Sequence, residues 1–288
     1  MTSALLEVRI IILNYNGAEL LPQCLPSVVE AAQSAVFSTS VTVLDNISTD
    51  QGLAYVRKNF PSVHIETAPS NNFLCSYNDY LPKIDDSVVI LLNNDIRVDK
   101  GFVDPLAQKF AEDAQAFLVA PRVLSFDGKH VEAGRSKAGL RFGLFWCDAR
   151  YSGYESETDQ PSRTFSSGFG AFSREKFLAL HGYDTRYLPG IMEDVDLCYR
   201  AQKAGFHLYY EPRSTVYHMG QASFKKKFGA FRIAVIAHRN NFLFMWKNFS
   251  GLFWLEHLFF LPLRLLFALL KGNFAMPLGF FEALRRRV

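Results

Sequence analysis

This 288-residue chain has no glycine-rich phosphate loop. No Gly-x-Gly-x-x-Gly follows its first apolar run, which argues against a dinucleotide-binding Rossmann site, and no Walker-type loop is present. Cysteine is scarce. Cys24, Cys75, Cys147 and Cys198 are too far apart for a zinc ribbon or a Cys-x-x-Cys redox pair, and a disulfide scaffold is excluded. Four dispersed thiols fit a reducing compartment. The stretch from Met1 to Ile10 lacks a basic n-region, and Glu7 and Arg9 interrupt its apolar residues, so no secretory signal is expected there. A long uncharged run is also missing. Glu256, His257 and Arg264 break the apolar stretch from Leu252 to Leu270, leaving spans shorter than the roughly 20 residues a membrane helix needs.

What is present is globular: 49% apolar, 20% charged and 15% aromatic residues. The net charge of +3 hides an asymmetry. Residues 1–220 carry 20 Lys and Arg against 26 Asp and Glu, whereas residues 221–288 carry 11 against 2 and hold 15 of the 42 aromatics. The expected organisation is an acidic body, 1–220, and a basic aromatic helical tail, 221–288. Such a tail suits an anionic surface. Its aromatics are mostly Phe among Leu and are not interleaved with the charges, which favours membrane over nucleic acid. His257, Arg264 and Lys271 are seven residues apart and share one helix face. A polar stripe on a Phe/Leu/Trp helix suits lying in the interface. Pro262 should kink or restart that helix, and Lys225-Lys226-Lys227 and Arg285-Arg286-Arg287 would add attraction to anionic lipid. The competing reading is a helical hairpin packed on the body or on a second copy in a homodimer.

In the body, short β-branched runs alternate with helical stretches. Val8 to Leu13, Val41 to Leu44, Val63 to Glu66, Ser87 to Leu92 and Phe117 to Ala120 read as strands. Glu19 to Ala35, a stretch capped by Thr49 or Asp50 and running to Asn59, and Gly101 to Asp113 read as helices. This pattern predicts an α/β fold, a mostly parallel Rossmann-like sheet with helices on both faces. Ligands of such sheets bind beyond the carboxyl ends of the strands. There the sequence has Asn14-Tyr15-Asn16, Asp45-Asn46 and Asn93-Asn94-Asp95. Each cluster alone equally suits a turn or a cap; three at equivalent places point to a site. Residues 127–165 read as an irregular loop region, followed by the small residues Ser166 to Ala171, with a helix opening at Ser173 or Arg174. Glu193-Asp194-Val195-Asp196 opens another helix, where carboxylates suit the macrodipole or can supply a general base. An extended segment then ends at His218.

These segments together resemble the family 2 glycosyltransferases of GT-A fold, in particular their rhamnosyltransferase-like branch. The likeness covers roughly residues 7–245 and rests on six motifs in order. They are the opening Asn14-Tyr15-Asn16; Val43-Leu44-Asp45-Asn46-Ile47-Ser48-Thr49-Asp50; the degraded Asn72-Phe73-Leu74-Cys75-Ser76-Tyr77-Asn78; Leu91-Leu92-Asn93-Asn94-Asp95 in place of the DxD motif; Glu193-Asp194-Val195-Asp196-Leu197; and His218 followed by Ser223. The resemblance implies an inverting transfer from a nucleotide-sugar donor, dTDP-rhamnose or a UDP-sugar, to a saccharide or lipid-linked saccharide at the cytoplasmic face of a bacterial membrane. It implies Asp194 as catalytic base, and Asn14, Tyr15, Asn16, Asp45, Asn78, Asn94 and Asp95 on the donor side. Gly168 and Glu193 fall on the acceptor side, with Mg²⁺ or Mn²⁺ held by Asp95 and His218. Two departures stand out: Asn93 replaces the first acid of the DxD motif, and Leu74 to Tyr77 replace the usual glycines. The alternatives are an inactive membrane-bound scaffold of the same fold and a sugar nucleotidyltransferase, though Asn16-Gly17-Ala18-Glu19 is not the basic glycine-rich loop the latter uses.

Overall fold

The computed structural model describes residues 6–220 and 222–286, with residues 222–226 described by their backbone alone. Residues 1–5, Arg287 and the side chains of Ser223, Lys225 and Lys226, on which expectations above rest, lie outside the described residues.

The first half alternates as the apolar runs predict: β1 (Val8–Asn14), α1 (Leu21–Ser34), β2 (Thr39–Asp45), α2 (Gly52–Asn59), β3 (His64–Thr67), α3 (Ser76–Tyr80), β4 (Val88–Asn93), β5 (Ile96–Val98), α4 (Val103–Glu112) and β6 (Ala116–Ser125). The segment read as irregular holds β7 (Val131–Ala133), a hairpin of β8 (Lys137–Arg141) and β9 (Leu144–Asp148), and β10 (Ser162–Arg163). Then follow β11 (Gly170–Ser173), α5 (Arg174–Ala179), α6 (Glu193–Lys203), β12 (His207–His218), α7 (Ala222–Asn248), α8 (Leu252–Leu270) and α9 (Ala275–Arg286).

The main sheet runs β10-β12-β6-β11-β4-β1-β2-β3, with β5 on β12 and β7 on β6. β4, β1, β2 and β3 are parallel, as are β6 and β12. β11 lies antiparallel between β4 and β6, so the sheet is mixed rather than nearly all parallel. Strands buried on both faces need no hydrophobic alternation, and Ile10, Ile11, Val89, Ile90 and Leu91 are all 1% exposed or less. β6 does not stop before Pro121, as expected, but continues through it. A proline has no N–H for the ladder. The pairing with β12 accordingly slips there: Glu211 faces Pro121, and Thr215 is next, facing Arg122. The intervening Ser214 Oγ donates to the Phe102 carbonyl at 2.7 Å.

The tail folds onto the body. Phe242, Phe244 and Met245 of α7 are buried with Phe145 of β9, Tyr187, and Ala283 of α9. Gly229, at φ 72°, breaks α7 near its start, whereas Pro262 is carried inside α8 without ending it. Of the expected polar stripe, His257 and Arg264 face protein, whereas Lys271, just past the end of α8, is exposed. The buried His257 contacts the Gly143 carbonyl through Nδ1 at 2.6 Å, Glu256 Oε1 accepts from Gly143 N at 3.0 Å, and Arg264 Nε donates to the Phe142 carbonyl at 2.6 Å. With these groups satisfied, the helix is long and apolar enough to cross a membrane by length and composition, which the count of uncharged residues did not anticipate.

One buried carboxylate fastens α7 to α6. Asp196 accepts from Tyr187 Oη at 3.0 Å, Arg200 Nε at 2.7 Å, Lys247 Nζ at 2.8 Å and Asn248 Nδ2 at 3.0 Å. Removing one member of a buried ionic network leaves the others unpaired. Asp196→Ala should therefore lower unfolding free energy by about 3–5 kcal/mol, measured by urea denaturation; an unchanged midpoint would show that the network is not structural.

Candidate active site

Strand register builds the site's first wall. β1 pairs with β2 so that Asn14 faces Asp45, and with β4 so that Leu13 faces Asn93. The buried Asn14 donates from Nδ2 to Asp45 Oδ1 at 2.8 Å and accepts from Asn94 Nδ2 at 2.8 Å. Ser48 closes the group: its N–H donates to Asp45 Oδ2 at 2.8 Å, and its Oγ accepts from Asn16 N at 2.8 Å. Gly17 must lack a side chain here, because a Cβ would lie 2.1 Å from Asn14 Oδ1 and 2.6 Å from Asn94 Nδ2. Asp50, one of the two residues expected to cap α2, accepts from Gly52 N at 3.0 Å and from Ala18 N at 2.8 Å, tying that turn to the loop after β1.

Tyr15 projects outward, 42% exposed. Lys227 lies 5.5 Å from its ring centre and 4.9 Å from that of Phe73. Asn78 is not available as expected. Its Oδ1 accepts from Tyr183 N at 2.9 Å and its Nδ2 donates to the Tyr183 carbonyl at 2.8 Å, so its amide clamps α3 to the loop that carries Tyr183.

The second wall is Asp95 and His218. His218 closes β12 opposite Ile96, and its Nε2 stands 3.5 Å from Asp95 Oδ2. Its Nδ1 is 3.2 Å from Glu132 Oε2. Burial draws the imidazole pKa down, but Asp95 and Glu132 outweigh it and the net shift is upward. Asp95 Oδ1 is buried with no hydrogen-bond partner, an unmet acceptor beside an imidazole. A hard divalent cation takes oxygen and imidazole donors and needs few protein carboxylates when phosphates complete its shell. Asp95 and His218 fit such an ion. Glu132 would orient the imidazole through Nδ1–H. Among the described residues no group of three or more His, Cys, Asp or Glu side chains is arranged to hold a metal unaided.

The third wall is the acidic pair. Ile191 and Met192 precede α6 at φ 73° and 84°, a left-handed turn that strains a β-branched residue. Asn240 of α7 holds it, its Nδ2 lying 2.7, 2.8 and 2.7 Å from the carbonyls of Tyr187, Gly190 and Ile191. Asp194 is partly buried. Burial raises its pKa, opposed by the N–H groups of Val195 and Asp194 at the helix start. Burial and then Asp194 push Glu193 up to about 8, and its Oε2 is buried without a partner.

A single loop joins the last two walls. A Cβ on Gly168 would stand 3.3 Å from Asp194 Oδ2, and the ring of the next residue, Phe169, packs 6.0 Å from that of His218. On the far side of Asp194 lies β9. Its Cys147 Sγ is 3.2 Å from Ser166 Oγ, and burial, reinforced by Asp194, pushes that thiol up to about 11.

Of the expected site residues, Asn14, Asn16, Asp45 and Asn94 share one lattice, with Tyr15 beside it. Asp95 and His218 meet, as do Gly168, Glu193 and Asp194, while Asn78 lies in a structural clamp. Sequence reasoning missed Glu132, Ser48 in its bonding role, Phe169, Lys227 and Asn240. Ser48 lies inside a motif, Phe169 within Ser166 to Ala171 and Lys227 in the basic triplet; Glu132 and Asn240 had no local signal.

This mixed sheet with helices on both faces is a GT-A fold. Solved structures of low identity match it. One is GalNAc-T7 with UDP, GalNAc and Mn²⁺ (TM-score 0.63, 17% identity, 85% of this chain and 49% of that one). Another is the mannosyltransferase PcManGT of Pyrobaculum calidifontis with GDP-Man and Mn²⁺ (0.56, 16%, 94% and 72%). This chain thus spans about half of GalNAc-T7. Residues 9–180 match the model of glycosyl transferase family 2, and the chain belongs to that family. It is also 25% identical, over 84% of its length and 85% of the relative's, to the N-acetylglucosaminyl-diphospho-decaprenol L-rhamnosyltransferase of Mycobacterium tuberculosis.

The raised Glu193 pKa has a stability consequence. Its proton is held more tightly folded, near 8, than at the ordinary 4.5. That contribution to stability is complete below 4.5 and is lost as pH rises through 8, at up to about 1.4 kcal/mol per unit. Glu193→Gln should flatten this decline in thermal unfolding between those limits; a parallel slope in wild type and variant would contradict it.

Proposed function

We propose that this chain is an inverting glycosyltransferase that moves a sugar from a nucleoside-diphosphate donor, dTDP-rhamnose or a UDP-sugar, to a lipid-linked saccharide in bacterial surface polysaccharide synthesis. One observation carries the reading: consecutive residues Gly168 and Phe169 lie beside the Asp194 carboxylate and the His218 ring, so one loop links a base to a diphosphate-handling pair. The relative's activity, on a lipid-diphosphate sugar, supports the acceptor class.

In this reading the lattice of Asn14, Asp45 and Asn94 receives the nucleoside, with Tyr15 and Asn16 at its rim. Asp95 and His218 would hold Mg²⁺ or Mn²⁺, and such an ion would neutralise charge on the departing diphosphate. Asp194 accepts the proton of the acceptor hydroxyl. That oxygen bonds to the anomeric carbon as the bond to the diphosphate oxygen breaks, and one displacement inverts the centre. Burial helps, because a base whose pKa is raised takes a proton more readily near neutral pH. Gly168 lets the acceptor approach Asp194, and Glu193, held protonated, adds no second negative charge beside it. The exposed apolar sides of α8 and α9, with Leu255, Phe259, Phe267 and Phe281 turned outward, rest on the cytoplasmic face of the membrane and bring the site to its acceptor.

Asp194→Asn should lower transfer by about 10²–10⁴ and leave donor affinity unchanged; retained turnover would remove Asp194 from the base role. In wild type the acid limb of kcat/KM should lie above the ordinary carboxylate range, as the raised Asp194 pKa requires; a limb near 4 would contradict it. Asp95→Ala should abolish the difference in donor-induced thermal shift between Mn²⁺ and chelator. An undiminished difference would place the ion elsewhere.

A further inference from the structure

The β8–β9 hairpin meets α8 at a spot where two arginines lie close together. Arg264 gives its donors to backbone: Nε to the Phe142 carbonyl at 2.6 Å, and Nη2 to the carbonyl of Arg141. Arg141 is exposed at the tip, its guanidinium 5.5 Å from the Phe142 ring centre. Among the described residues neither arginine forms an ion pair. They are close enough to repel: burial, and then Arg141, lower the Arg264 pKa. The two sit at the edge of an apolar surface. Phe142 is 53% exposed and packs 5.4 Å from Phe260, while Leu263, Leu266 and Phe267 of α8 are each more than half exposed.

Two like charges beside a wide apolar face, with the nearby Glu256 accepting from Gly143 N, form half of a recognition site for an amphiphile with an anionic head. The hairpin adds a direction. From the turn, β9 runs to Cys147, which lies against Ser166 and feels Asp194. Arg141 pairs with Leu144, three residues before Cys147, so at about 3.3 Å each roughly 10 Å of strand separates the arginine from the cysteine that senses the acid. An arginine side chain, a diphosphate and a sugar can together bridge that interval.

We propose that Arg141 and Arg264 bind the diphosphate of the lipid-linked acceptor, with its polyprenyl chain lying over α8 and its sugar directed along β9 to Asp194. This rests on the glycosyltransferase reading and adds the acceptor's head-group site to it. Guanidinium forks suit phosphate oxygens. Arg264 also sets the hairpin's position, so Arg141, whose side chain makes no hydrogen bond among the described residues, is the informative one to change.

The test is binding of a polyprenyl diphosphate presented in neutral detergent micelles to the full chain, with the matching polyprenol as control. It needs no turnover, so it stands apart from any failure of catalysis. The wild type should prefer the diphosphate to the alcohol by at least about tenfold. Arg141→Gln should remove most of that preference, and Arg141→Lys should restore part of it. In transfer assays Arg141→Gln should raise the KM for a lipid-diphosphate acceptor about tenfold, while leaving kcat and the donor KM unchanged. Equal binding of diphosphate and alcohol by the wild type would overturn the proposal. So would an Arg141→Gln variant that keeps its micellar preference but loses binding to phosphatidylglycerol vesicles, which would assign the arginine to bulk lipid head groups. A wild type that binds the diphosphate but transfers to no acceptor would instead count against the glycosyltransferase reading.

Discussion

Register in the parallel half of the sheet is the constraint on which the donor side depends. Asn14 can join Asp45 and Asn94 because β1 pairs with both β2 and β4 with its last residues level with theirs. A slip by one residue would turn Asn14 to the opposite face and break the lattice. The buried strand cores prevent that slip, since every alternate position is already packed. The apolar core and the polar edge are therefore consequences of one alignment. Gly17 is part of it, because the loop leaving β1 passes too close to the two amides for any side chain.

The acceptor side is built differently. Its acids sit on a helix whose first turn is preceded by two residues in a left-handed conformation, and the strain is offset by hydrogen bonds from a helix that is distant in sequence. The loop before β11 spans the gap between the two sides. Charge is arranged so that each acid has a distinct environment: Asp95 beside an imidazole, Asp194 against glycine and helix N–H groups, Glu193 in apolar burial, and Asp196 under four donors. Environments pushed apart in this way let neighbouring carboxylates do different work.

What could be read from the sequence follows what is local. The runs at Val8 and Ser87 announce strands because β-branched residues between turn signals have few other stable uses. Asn14, Asp45 and Asp95 stand out because each ends such a run. The hairpin of β8 and β9 was not legible: Lys137–Arg141 and Leu144–Asp148 lack a clean period of two, and their partner face is supplied by α7. Asn78 looked like a ligand-facing amide, and only the arrival of Tyr183, 105 positions away, shows its structural use. Glu132 pairs with His218 across 86 residues, a relation no spacing rule encodes. The stripe of His257 and Arg264 was read correctly as one face, but what it faces is the hairpin turn.

Asn240 gives the site an order of assembly. Translation proceeds from the amino terminus, so every residue of the nucleoside lattice leaves the ribosome before the amide that steadies the turn ahead of α6. A nascent chain can thus complete its donor-side wall while its acids are still unset. The turn ahead of α6 gains its last support only when the late helix docks.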